Sequence, residues 1–304
     1  MHSLRLRPAR VDDAEQLLEV LALPNDGYGP TPRAGLAHLV GRLLRERALT
    51  SPLLEERATE SDAPHARLQG VALTAFVDLA EARALLTSPP ERFVDALFER
   101  EQAGESVFLR PSRLPALNRG EGLGLVFLGY RLAPPPEGET ADRQIFAMFE
   151  SFRLFYAGCH CPLALHPAPS SPRAEQSMLG LRFRPVGDGR NLWQLREEDL
   201  ADAPFNPFIV IRRAPAPRLG FTAGEQELLF CALLGFSDAE VAEHLGLSVE
   251  TVRKRWRSAF DRATAHDELK ILPYYEGTTR GPEKRGALLE YLDAHLEELR
   301  PYAD

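Results

Sequence analysis

Lysine is nearly missing from this chain of 304 residues: Lys254, Lys270 and Lys284 are the whole supply, and arginine provides the remaining cations. Positive charge is in deficit overall, with 36 Lys and Arg against 44 Asp and Glu, a formal charge of -8. That balance excludes a protein that coats nucleic acid indiscriminately, and any nucleic-acid contact would have to use a local cationic patch. Cysteine is equally sparse. Cys159, Cys161 and Cys231 cannot all pair internally, so a reducing compartment is expected. No apolar run is long enough to span a bilayer. The opening MHSLRLRPARVDDAEQLLEV turns acidic and amphipathic too early for a signal peptide. A cytoplasmic protein with no membrane partner is the expectation. Internal repeats, sizeable low-complexity tracts and a Gly-x-Ser-x-Gly nucleophile elbow are also lacking.

The length admits two domains, one ordinary and one small, and 44% hydrophobic with 26% charged residues is a globular composition. In the first two-thirds, Leu4 and Leu6 alternate with Arg5 and Arg7, and Asp12 or Asp13 caps a helix with Ala14, Leu17, Leu18 and Leu21 on one face. Strands are expected at 68–76, 105–109, 122–132, 161–165, 181–185 and 192–195. Helices are expected at 141–156, with Ile145, Phe146, Phe149, Phe152 and Phe155 along one side, and at 172–178. Strands joined by crossover helices, with antiparallel returns, give an α/β domain over 1–200. Cys159-His160-Cys161 and His166 are ligand types suited to zinc or copper(I). In a strand, however, His160 faces away from both cysteines, so they are read as core cysteines and no metal is expected.

A proline-dense connector spans 201–218 around the apolar run Phe208 to Ile211 and reads as semi-rigid. Beyond it, 219–264 reads as three short helices. Thr222 with Glu225 and Ser237 with Glu240 fit capping boxes, and Ser248 is a third N-cap. The last helix sets Val249, Val252, Trp256 and Phe260 on an apolar stripe. Glu250, Arg253, Lys254 and Arg257 lie opposite, with Thr251 and Arg255 on the flanks. Such a helix, held from behind, fits a DNA major groove. There the arginines and lysine meet phosphates or guanine edges, and Glu250 accepts from a cytosine amino group. The segment 265–304 carries a helix with Leu288, Leu289, Leu292, Leu296 and Leu299, stopped at Pro301. Its apolar stripe must either pack within the chain or pair with a second copy.

Phe221-Thr222, Glu225, Leu228-Leu229, Gly235-Phe236-Ser237, Glu240-Val241-Ala242, Leu245, Ser248 and Thr251-Val252-Arg253 together resemble the LuxR-type helix-turn-helix domain of transcription regulators. The resemblance implies a small all-α domain binding double-stranded DNA, with Ser248, Glu250, Thr251, Arg253, Lys254 and Arg257 at the contact, and a homodimer. Arg255 stands where that family often has His, and Ala263 where Leu is usual. The family's short fourth helix is missing, which puts its dimer contact in question. Arg7-Pro8-Ala9 with Asp12-Asp13-Ala14-Glu15, and Leu179-Gly180-Leu181-Arg182-Phe183, resemble the start and end of the GNAT acetyltransferase fold, a mixed sheet with flanking helices. In that superfamily an Arg/Gln-x-x-Gly-x-Gly/Ala loop between strand and helix cradles the pyrophosphate of acetyl-CoA. Arg119-Gly120-Glu121-Gly122-Leu123-Gly124 matches in letters, but a strand follows it. The loop ahead of the next helix holds Pro134, Pro135 and Pro136, which donate no N–H. The expectation is therefore a sensor or dimerisation domain without cofactor or catalytic residues, open to an unidentified small-molecule ligand, in a transcription regulator that is not an enzyme. The alternative is an N-acetyltransferase using acetyl-CoA, fused to a DNA-targeting domain.

Overall fold

A computed structural model describes residues 2–21, 33–58, 67–132, 139–188, 190–272 and 281–299. They divide into a sheet unit, 1–155 with 160–212, and a helical unit, 156–159 with 213–304. No helix among the described residues is long and apolar enough to cross a membrane.

The sheet unit opens with β1 (His2–Pro8), α1 (Ala14–Leu21), α2 (Arg33–Arg45), β2 (Leu49–Thr50), β3 (Pro52–Ala58) and β4 (Arg67–Asp78). Then come α3 (Leu79–Thr87), α4 (Phe93–Gln102), α5 (Leu114–Arg119), β5 (Leu123–Leu132) and α6 (Glu139–Tyr156). It closes with β6 (Leu163–Pro167), α7 (Pro172–Gly180), β7 (Arg184–Pro185) and β8 (Leu192–Arg196). The strands form one eight-stranded mixed sheet in the order β1-β3-β4-β5-β6-β8-β7, with β2 on β4. β5 and β6 are parallel, and the helix α6 supplies the crossover that parallel neighbours require.

Period-two alternation assigns the sheet's faces. Val71, Leu73, Ala75, Val77, Val126, Leu163 and Leu165 pack in one core with Leu17 and Leu21 of α1, Val40 and Leu43 of α2, and Leu97 of α4. Leu54 and Ala72 point the other way and meet Met148 of α6. At the first turn after β1, Asp13 does not cap α1. Its carboxylate accepts from Arg10 N at 2.6 Å and lies 2.7 Å from Arg7, which also meets Glu55.

Two expected elements differ. Residues 105–109 are not a strand: Leu109 N donates to Phe76 O of β4, while Phe108 N donates to the buried Glu101 carboxylate. In α6 the large apolar side chains divide between two sides. Phe152 and Phe155 are buried, whereas Ile145, Phe146 and Phe149 face outward. Gln144, Met148 and Ser151 complete the inward side, and Gln144 donates to Gln69 on β4 at 2.8 Å.

The connector is not free along its length. A 3-10 turn at Pro207–Ile211 buries Phe208 and Ile211, and Cys161 N donates to Ile211 O at 2.8 Å.

The helical unit contains α8 (Ala223–Leu233), α9 (Asp238–Leu245), α10 (Val249–Ala265) and α11 (Gly281–Ala294). Both capping boxes form: Thr222 N donates to Glu225 at 2.7 Å, and Ser237 N to Glu240 at 2.9 Å. Glu225 is then used twice more, accepting from Ser258 Oγ and lying 2.8 Å from Arg262, which ties α8 to α10. The leucine stripe of the tail packs within the chain. Leu288, Leu292, Leu296 and Leu299 are buried, with α11 against α8 and α10. Glu298 locks this arrangement by accepting from Arg218 N, Leu219 N and Tyr291 Oη at 2.9–3.1 Å. Pro301 and the loop prolines 134–136 lie outside the described residues.

Candidate functional site

Local chemistry sets the start of α10. Gly246 ends α9 in the left-handed region at φ 66°, a conformation that a side chain disfavours. Two residues later Ser248 Oγ accepts from Thr251 N at 3.1 Å and lies 2.8 Å from Thr251 Oγ1. The helix's back is fixed by Val252 and Trp256, both buried. Trp256 donates through its ring N–H to Asp238 at 3.2 Å, and the Arg285 guanidinium of α11 stacks 4.5 Å above its ring. Phe260 stacks on the same indole with centroids 5.4 Å apart. Val249 departs from the expected stripe and is exposed.

The opposite side of α10 is polar and open. Glu250, Arg253, Lys254 and Arg257 are all exposed. Arg257 lies 3.2 Å from Glu250, so these two share a charge pair across the face. Arg255 is withdrawn from it: its guanidinium donates to Gly224 O of α8 at 3.1 Å. Ser248 and Thr251 sit at the helix's leading edge. The six candidate contact residues are therefore gathered at one end and one side of a single helix.

In the sheet unit the distinctive place is where β5 and β6 part. They pair over Gly124–Val126 and Leu163–Leu165 only, while β5 continues to Leu132 and β6 to Pro167. Phe127 and His166, the first residues past the last pair, have ring centroids 5.2 Å apart. Phe152, Phe183 and Phe208 surround them. Burial lowers the His166 pKa to about 4, and its Nδ1 lies 2.6 Å from Pro167 O. The imidazole is accordingly neutral, with Nδ1–H as the donor.

The letters Arg119–Gly124 do not form a phosphate cradle. α5 ends at Arg119 and β5 begins at Leu123, so no helix N-terminus follows. Gly122, at φ 97°, has a packing role. A Cβ there would lie 2.5 Å from Pro162 Cδ and 2.8 Å from His160 Nδ1. Cys159 and Cys161 are buried as expected, though in the coil before β6 and not in a strand. His160 pairs with Glu197 at 3.0 Å. No group of three or more ligand side chains gathers among the described residues.

No family model matches the chain, and no curated protein does. It is similar to the crystal structure of a mosquito arylalkylamine N-acetyltransferase like 5b, at 12% identity and TM-score 0.36, over 64% of this chain and 100% of that one. An agmatine N-acetyltransferase is similar at 12% and 0.34, over 64% and 100%. A bacterial toxin is similar at 12% and 0.33, over 66% and 95%. Likeness at this distance brings no substrate or residue role to this chain. The expectation that the chain is not an enzyme is corrected here, since two of these three proteins are N-acetyltransferases.

Proposed function

We propose that the chain is an N-acetyltransferase fused to a DNA-binding helical unit, with α10 as the helix that enters the major groove. One observation carries the DNA half. Arg253, Lys254 and Arg257 stand exposed on the side of α10 opposite the buried Val252 and Trp256, on a helix whose start is fixed by the Ser248 cap. A helix anchored in this way presents its cations as a rigid set, which is what phosphate positioning and base-edge readout require. The same face serves a sequence-specific transcription regulator of the LuxR type. The negative charge of the remaining chain keeps nonspecific affinity low.

Substitution Arg253→Ala is expected to weaken DNA binding at least about ten-fold and to lower the salt slope by roughly one unit. Arg213→Ala, an equal loss of charge outside the helices of that unit, is expected to leave both nearly unchanged. Titration of a labelled duplex over a salt series measures this, and equal losses from the two variants would overturn the assignment of the face.

The acyl-transfer half is supported by the parting of β5 and β6. An extended chain carrying amides, such as the pantetheine arm of acetyl-CoA, hydrogen-bonds to a strand edge as an added strand would, and the parting leaves β5 without β6 pairing over 127–132. Acetyl-CoA supplies the acetyl group when bound, and Phe127 and His166 are the first residues past the last β5–β6 pair. Calorimetric titration with acetyl-CoA is expected to give a saturable heat, and no heat would remove this half while leaving the DNA half standing.

A further inference from the structure

We propose that two copies of the chain associate through the outward side of α6, packed antiparallel about a two-fold axis near Phe146. This interface belongs to the sheet unit and stands whether or not α10 binds DNA.

Phe146 is 71% exposed, with Ile145 at 43% and Phe149 at 41% beside it. Such a cluster on one helix departs from the scattered single apolar residues of ordinary surfaces. It is no part of the core, because the inward side of the same helix is already filled by Gln144, Met148, Ser151, Phe152 and Phe155. The charges around it identify the occupant. Arg143 precedes Phe146 by three residues and Glu150 follows it by four, so the three line one ridge, and Arg143 is exposed. Read along the helix, the ridge is cation, aromatic ring, anion.

Arg143 and Glu150 are two turns apart, about 10 Å along the axis. Reversing the helix exchanges them. An antiparallel second copy therefore sets Arg143 against the partner's Glu150 and Glu150 against the partner's Arg143, with the aromatic residues between. That is the self-complementarity of an isologous contact. Glu150 also pairs with Arg153 one turn on, so it would sit between two cations in the dimer and reward the contact without an unpaired charge.

Charge reversal tests this with the full chain. Wild type is expected to sediment as a dimer at micromolar concentration without DNA. Arg143→Glu alone and Glu150→Arg alone each set like charges against each other twice, and each is expected to raise the dissociation constant at least about ten-fold. Mixing the two variants in equal amounts places opposite charges at both contacts and is expected to restore a dimer, now mixed. Phe146→Asp, at an exposed position, is expected to give a monomer that stays folded, with an unchanged far-UV circular dichroism spectrum. A monomeric wild type would overturn the proposal, as would a dimer indifferent to Phe146→Asp or a mixture that fails to reassociate.

Discussion

Glu225 shows how one side chain does several jobs at once. Burial pushes its pKa up, but hydrogen bonds from Ser258 and Thr222 and the nearby Arg262 outweigh that, and the net value falls below the ordinary 4.5. A carboxylate held lower in the folded state stabilises the fold above its unfolded pKa, and that contribution is lost as pH falls through the folded value. Glu225→Gln should therefore cost about 2 kcal/mol at neutral pH, since Ser258 and the partly exposed Arg262 lose a charged acceptor. The difference from wild type should shrink as the solution is acidified below the ordinary carboxylate pKa. Chemical denaturation at a series of pH values checks this, and a constant difference would show that the charge is immaterial. The cap itself was legible in the sequence, because Thr222 and Glu225 are three residues apart. The bonds to Ser258 and Arg262, more than thirty residues on, were not. The same holds for Glu298, whose donors at Arg218 and Leu219 lie about eighty residues away.

Among the elements, α10 was readable in detail and α11 only in part. The faces of α10 follow from a period of 3.6 residues, and a cap marks its start. The stripe on α11 was equally plain, but a stripe does not name its partner. The structure supplies it: Leu292 is fully buried and α11 packs on α8 and α10, with Arg285 stacked on Trp256. The tail thus supports the candidate DNA-facing helix from behind and leaves little of its stripe for a second copy. Leu292→Ala is expected to lower stability by about 3 kcal/mol and to weaken DNA binding in proportion to the unfolded fraction. Restoring the fold by cooling or osmolyte should restore binding. Loss of binding in a fully folded variant would mean instead that α11 touches DNA directly.

Other elements depart from their sequence pattern for physical reasons. Residues 105–109 end in the apolar run Val107-Phe108-Leu109, yet Glu101 takes the Phe108 amide and the segment joins no ladder. The apolar residues of α6 looked like one buried side because periodicity counts apolar character without asking whether anything covers it. Helices α2 to α5 lie outside the elements expected from the sequence. Their burial is decided by strands distant in sequence, as where Ala82 and Leu85 of α3 join the core with Val126 of β5.

At the scale of the whole molecule, one acidic chain divides into a sheet unit and a helical unit. The mixed α/β character of the first two-thirds was legible from the order of its elements, and its eight-stranded sheet accommodates that order. The connector behaves differently from a plain spacer, since Phe208 enters the aromatic cluster beside Phe127 and His166. No local pattern reveals a residue that leaves its own segment to fill another's core. Opposite balances of charge remain the broadest clue to function: a chain of formal charge -8 keeps an open cationic face on α10.

The most direct test of that claim is recovery of genomic DNA fragments by the purified full-length protein at physiological salt, beside an Arg253→Ala/Lys254→Ala variant of equal melting temperature. The account predicts a limited set of fragments enriched by wild type and absent with the variant. Equal enrichment by both proteins, or none by either, would contradict it.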